Sequence, residues 1–331
     1  MNTTVTSHSP HLTRAECSAL NARYEILEEA GRGGMGVVYK ARHVLLNRQV
    51  AVKVCLPGGQ AERFQREGQL SARIRSPHVV AVHDFEQLAD GRALLVMEWV
   101  EGANLGTVMR SAVGALPEAR ILAWMLHVCE GMQCAADHGV IHRDLKPPNV
   151  LINNRDVAQV ADFGLARSPE LEDITLAGDM MGTPLYMAPE QAEDPRGADT
   201  RSDIYSFGAT FYHVLTGQPP FQGETSFSIL FKHKTEPLIA PQARNPLLTT
   251  GLGECLERCL AKLPHDRFQT FGEVRAHLEP HTGAGSRVGP ESPEVERHLA
   301  RYQTRRQTYL TAGATFDRAD TYTCLLYTSD A

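Results

Sequence analysis

The sequence predicts an α+β chain of two lobes, β-rich first and helical second, with a cleft between them. Three observations carry this. Short β-type runs crowd into residues 23–101, at 24–28, 37–41, 50–54, 79–85 and 93–99, with one helical stretch at about 60–74. From Leu116 onward the apolar positions Leu116, Ile121, Trp124, Met125, Val128 and Met132 follow the i, i+3/i+4 spacing of a helix face. Finally, 331 residues with 42% hydrophobic and 22% charged side chains is ordinary globular composition, long enough for roughly two core-forming units of about 150 residues.

In chain order, residues 1–22 are rich in Ser, Thr and His and are expected to be a flexible lead. Residues 23–280 form the folded unit, divided into 23–100 and 101–280, and Pro117 suits the first turn of the long helix. Residues 281–323 begin Gly-, Pro- and Ser-rich and are expected to be linker and tail. The stripe Val295, Leu299, Tyr302 within them is too short to bury a core of its own. The last residues, 324–331, back-translate to a string that resembles a transposase adapter used in sequencing libraries. They are expected to be a library artefact, with the natural reading frame running on.

Net charge is −6 and the isoelectric point about 6.2, which offers no case for nucleic acid as a partner. Residues 31–80 carry nine Lys/Arg against two Glu, hence +7, leaving −13 elsewhere. No run of five like charges exists, so this is read as a solvated face plus a phosphate-binding lysine. There is no apolar stretch of membrane length and no secretory signal at the start. The seven cysteines are odd in number and form no CxxC. Cys255 and Cys259 share a helix face, where buried or idle thiols are favoured over a zinc pair for want of further ligands nearby. The expected location is cytoplasmic.

Gly31-Arg32-Gly33-Gly34-Met35-Gly36-Val37-Val38 matches GxGxxGxV. Glycines let backbone N–H groups approach phosphate oxygens closely. A dinucleotide-binding turn would continue into a helix and place an acidic residue about 20 positions on. Here a β-type run follows, and Lys53 stands at that place in Val50-Ala51-Val52-Lys53. Strand, glycine turn, strand and lysine suit a lid over nucleotide phosphates, with Lys53 on them and Glu67, on the next helical stretch, holding Lys53.

Three further motifs follow in order: His142-Arg143-Asp144-Leu145-Lys146-Pro147-Pro148-Asn149, then Asp162-Phe163-Gly164, then Ala188-Pro189-Glu190. With these the chain resembles the eukaryotic-type (Hanks-type) Ser/Thr protein kinases over residues 23–279, and the glycine-loop variant and the phrasing of 202–221 resemble bacterial members. The resemblance implies a two-lobed protein-kinase fold and transfer of the ATP γ-phosphate to Ser/Thr hydroxyls of protein substrates, with autophosphorylation and the self-association it entails. Asp144 would orient the acceptor hydroxyl and take its proton. Lys146 would neutralise the moving phosphate. Asn149 and Asp162 would hold Mg²⁺, which prefers oxygen ligands.

The resemblance also implies that Val38, Ala51 and Leu151 sandwich adenine, that Met97 is the gatekeeper, and that Glu98-Trp99-Val100 is the hinge meeting the adenine edge; plain core packing is the competing reading. His142 would pack beneath Phe163 rather than act. Asp203 would tie down the catalytic loop, Arg267 would pair with Glu190, and Thr183 would shape the acceptor pocket. Arg63, Arg143 and Arg167 stand where such kinases gather charge around an activation-segment phosphate. Asp179 is read either as a solvated loop residue or as a built-in carboxylate for that cluster, and Thr175 is preferred over Ser168 as the autophosphorylation site. Bacterial kinases of this kind often continue past a linker to a membrane helix and sensor, so a membrane-anchored full-length protein fits the same reading. Two alternatives stand beside it. A nucleotide-binding pseudokinase scaffold would lack part of the set Lys53, Asp144, Asn149, Asp162, which is intact here. A small-molecule phosphotransferase would lack the segment Gly182-Thr183-Pro184-Leu185-Tyr186-Met187-Ala188-Pro189-Glu190.

Overall fold

The computed structural model describes residues 23–33, 36–55, 68–69, 71–88, 92–112, 115–163, 184–194 and 197–283. Five strands build the first lobe: β1 (Tyr24–Gly33), β2 (Gly36–His43), β3 (Arg48–Cys55), β4 (Val82–Gln87) and β5 (Ala93–Glu98). They form one antiparallel sheet in the order β1-β2-β3-β5-β4. Alternation splits its apolar side chains between two faces. Val37, Tyr39, Val50, Val52, Leu94 and Val96 pack on one face, and Val38, Ala51, Leu95 and Met97 face the cleft. The run expected at 79–85 is shorter as a strand. Val79 leaves the sheet and bridges in parallel to Val160, because the linker before β4 hydrogen-bonds the second lobe through His78 and Val80. Of the helical stretch expected at 60–74, residues 60–67 and 70 lie outside the described residues.

The second lobe opens with β6 (Gly102–Asn104) and α1 (Leu105–Ser111), whose first turn is capped by the Asn104 carboxamide accepting from the Thr107 N–H. Helix α2 (Glu118–Asp137) buries the predicted stripe Ile121, Trp124, Met125, Val128 and Met132. Strands β7 (Val150–Asn153) and β8 (Ala158–Val160) complete a small sheet with β6 under the cleft. Then come α3 (Pro189–Glu193), α4 (Thr200–Thr216), α5 (Ser226–Thr235), α6 (Pro241–Arg244), α7 (Thr250–Cys259) and α8 (Phe271–Leu278).

Helix α4 is the axis of this lobe. It is buried without interruption from Ser202 to Thr216, as a helix at the centre of a core must be. A Cβ on Gly208 would meet the Cys259 Cβ at 2.6 Å, so glycine lets α7 lie against α4. The helix stops at Gly217, whose φ of 76° is the left-handed cap that glycine adopts without steric cost. Burial pushes the Cys129 and Cys259 thiols well above their ordinary range, which makes them poor nucleophiles and supports the reading of idle core cysteines. Among the described residues no helix is long and apolar enough to cross a membrane.

Candidate active site

Between the lobes opens a pocket lined by Val38, Ala51, Met97, Glu98, Trp99, Val100, Leu151 and Asp162, all read from the sequence, and by Val80, Pro148 and Ala161. Register explains the roof. Ala51 lies opposite Met97, and Val38 opposite Lys53, so the two strands aim small apolar groups downward beside the lysine. Leu151 on β7 supplies the floor. A flat apolar slot with a polar far end suits a planar heterocycle joined to a charged group. Val80, Pro148 and Ala161 were missed because each sits in a linker whose path periodicity cannot give. Trp99 was read only as part of the hinge; the Lys40 ammonium stands 4.9 Å from its ring centre.

At the polar end, Lys53 Nζ lies 2.8 Å from Asp162 Oδ1, both largely buried. The two are 109 residues apart in sequence, so this ion pair spans the lobes. Glu67, expected to hold Lys53, lies outside the described residues, and the described carboxylate at the lysine is Asp162. Below, Lys146 Nζ stands 3.2 Å from Asp144 Oδ2. The Asn149 amide nitrogen donates to the Asp144 carbonyl at 2.7 Å and to its Oδ2 at 3.2 Å, which leaves the Asn149 oxygen as the atom available for a ligand. Asn149 and Asp162 thus offer oxygen donors, the chemistry Mg²⁺ selects.

The loop carrying Asp144 is held from below. Both carboxylate oxygens of buried Asp203 accept backbone N–H groups, from His142 and Arg143, each at 2.7 Å. Burial raises the Asp203 pKa, against the pull of these donors and neighbouring charges. Arg143 itself has φ 66° and Asp162 has φ 62°, a conformation side chains resist. Among the described residues the other two non-glycine cases, Asn47 and Asp156, are turn residues of the kind that tolerate it. Strain at Arg143 and Asp162 is the kind that a surrounding network must hold in place. His142 is part of that network: its Nδ1 accepts the Asp144 N–H, so its Nε2 carries the proton donated to the Ala161 carbonyl at 2.9 Å. Its ring packs 4.8 Å from Phe163, as expected of a structural residue.

The expected Glu190–Arg267 pair is also present. Arg267 is fully buried and uses every donor: Nη1 and Nη2 reach the two Glu190 oxygens at 2.7 and 2.9 Å, and three carbonyls take the rest. Burial pushes the Glu190 carboxyl up, but the Arg267 and Ser202 hydrogen bonds outweigh it and hold the pKa below its ordinary value. Gly34, Met35, Arg63, Arg167, Thr175, Asp179 and Thr183 lie outside the described residues.

A two-lobed fold, an apolar slot between the lobes and a lysine–carboxylate pair over the loop that carries Asp144 define a nucleotide phosphotransferase of the kinase type. The comparisons specify it further: residues 24–278 match the protein kinase domain family, and the chain belongs to that family. It is 37% identical over 289 residues to the serine/threonine-protein kinase PknB of Mycobacterium tuberculosis, covering 84% of this chain and 45% of that protein. The PknB of Mycobacterium leprae is 36% identical over 286 residues, with 83% and 45% covered. The chain therefore spans less than half the length of these relatives. Among solved structures, the Mycobacterium tuberculosis PknI kinase domain matches with a TM-score of 0.63 at 28% identity, covering 79% of this chain and 96% of that one.

Proposed function

We propose that residues 23–280 are a catalytically competent Ser/Thr protein kinase domain that moves the γ-phosphate of ATP to hydroxyls of protein substrates, itself included. The observation that carries the proposal is the joint placement of Lys53, Asp162, Asn149, Asp144 and Lys146 around one cleft mouth. Adenine fits the apolar slot, and the phosphates then point toward Lys53. Mg²⁺, held by Asn149 and Asp162, supplies neutralising charge on the phosphates when bound. Asp144 is fixed by the Asn149 amide and its own backbone, so its carboxylate meets the acceptor hydroxyl in a set orientation and receives its proton. Lys146, beside Asp144, places positive charge where the transferred group passes. No covalent enzyme intermediate is needed, since positioning and electrostatics suffice.

The intact set argues against a pseudokinase, and the acceptor-side turn at Pro184–Tyr186, followed by the Glu190–Arg267 pair, argues for a protein acceptor. We assign Arg143 to an anion site on the activation segment. Its buried Nε has no acceptor among the described residues, which fits a guanidinium awaiting a carboxylate or phosphate from 165–187. The test is transfer of radiolabel from ATP with Mg²⁺ to the chain itself and to a basic protein. Label on Ser/Thr that disappears in Asp144→Asn is expected; undiminished labelling in that folded variant would refute the assignment.

A further inference from the structure

The short turn Pro184–Tyr186, which the protein-kinase reading puts on the acceptor side, packs against α4 and α5. One side chain ties it to the core. The Tyr186 hydroxyl and His213 Nδ1 share a hydrogen bond of 2.8 Å, and the two rings stack at 18° with centres 6.0 Å apart. His213 is buried near the C-terminal end of α4. Near the other end of the same helix, Asp203 grips the backbone of His142 and Arg143. Thr210, between them, donates to the Leu145 carbonyl at 3.4 Å. Ten residues separate Asp203 from His213, about 15 Å along a helix. One rigid, buried rod thus holds the loop of the catalytic base with one end and the acceptor turn with the other.

Resting on the protein-kinase reading above, we infer that His213 is a positioning residue for the protein acceptor: it fixes Tyr186, and through it the acceptor turn, at a set distance from Asp144. A second buried pair supports the same turn from beneath. The Tyr205 hydroxyl on α4 and His233 Nδ1 on α5, the two helices the turn packs against, are 2.8 Å apart. His233 is itself enclosed by Phe221 and by Lys262, whose ammonium donates to the His233 carbonyl at 2.7 Å. The two helices against which the turn packs are therefore joined by a buried tyrosine–histidine pair that Phe221 covers. Neither histidine touches the nucleotide slot, so their effect separates acceptor binding from ATP binding.

The experiment is steady-state kinetics with a basic protein acceptor varied against ATP, on the whole chain. Tyr186→Phe deletes one hydroxyl and leaves the ring. It is expected to raise the acceptor KM roughly 2- to 10-fold, the worth of one hydrogen bond, while the KM for ATP stays put. His213→Ala should do at least as much. The double variant should fall short of the product of the two, because both remove one interaction. His213→Asn, which can keep a polar atom near the Nδ1 position, should restore part of the loss. Unmoved acceptor KM values, equal shifts in both KM values, or fully multiplicative effects in the double variant would overturn the inference. Wild-type protein that labels no acceptor would overturn the kinase reading and this inference together; wild-type transfer with unmoved variants overturns this inference alone.

Discussion

The two lobes hold their functional side chains by different means. In the first lobe Lys53 extends from β3 and meets its described carboxylate, Asp162, only across the cleft. The Arg42–Glu25 pair of that lobe lies exposed on the sheet surface, and Arg23 reaches half-buried Asp84 and Glu86. In the second lobe the catalytic loop is pinned from within, by Asp203 to its backbone and by the buried Glu190–Arg267 pair beneath the adjoining segment. The cores differ in the same sense. One continuous cluster fills the second lobe, whereas the sheet divides its apolar residues between two smaller ones. The difference teaches that the second lobe is a prebuilt platform, while the first becomes functional only by its position over it. Charge removal should therefore stop chemistry without unfolding at the cleft, and unfold the protein at the platform.

The largest effect tests the cleft side. Lys53→Met, Asp162→Asn and Asp144→Asn should each slow transfer on the order of 100- to 1000-fold, with thermal melting near that of the wild type. A collapse in melting temperature for Lys53→Met would break the comparison, since it would make the lysine a structural pin. The platform side is tested by Arg267→Ala. This removes the guanidinium from Glu190 and from the three carbonyls it reaches, and should destabilise the fold by about 3–5 kcal/mol in urea titration.

An intermediate effect comes from pH. Burial, with the Lys262 charge next, pushes the His233 pKa down to about 3, whereas an unfolded histidine titrates near about 6.5. Between those values the unfolded chain binds the extra proton, so the folded state loses stability as pH falls through that window. His233→Asn removes the titration, and its urea midpoint should depend less on pH between about 6.5 and 3. Parallel curves for the two proteins would show that the platform does not exclude water at that site. In the activation segment, Asp179→Ala should lower the activity of phosphatase-treated protein severalfold and Thr175→Ala less. A silent Asp179→Ala beside an inactive Thr175→Ala would assign control to phosphorylation of Thr175. The smallest effect belongs to the sheet surface: Arg42→Ala should change stability by less than about 1 kcal/mol, the usual worth of an exposed pair.

Much of this was legible in residue order. Alternation gave four of the five strands of the first sheet nearly in place, and the stripe from Ile121 to Met132 gave α2, because both periods are local properties of the chain. The glycine loop, Lys53, Asp144, Lys146, Asn149 and Asp162 stood out because phosphate chemistry demands those residue types close together or in fixed order. The run at 79–85 misled for a physical reason: Val79 and Val80 are as apolar as strand residues, yet their hydrogen bonds go to Val160 of the other lobe.

The sequence by itself thus determined the two-lobe division, the order of the motifs and the residues able to bind nucleotide, since each depends on neighbours within a few positions. Only the tertiary structure decided which groups meet. Lys53 reaches Asp162 across 109 residues, whereas the Arg267–Glu190 and Asp203–His142 pairings, 77 and 61 residues apart, were expected from the family resemblance and from no local pattern. It also decided that Tyr186 rests on His213, 27 residues on. Such pairings have no period and no spacing rule. They exist because folding brings distant polar groups together where water cannot satisfy them, and an unpaired group there costs more than an ordered contact.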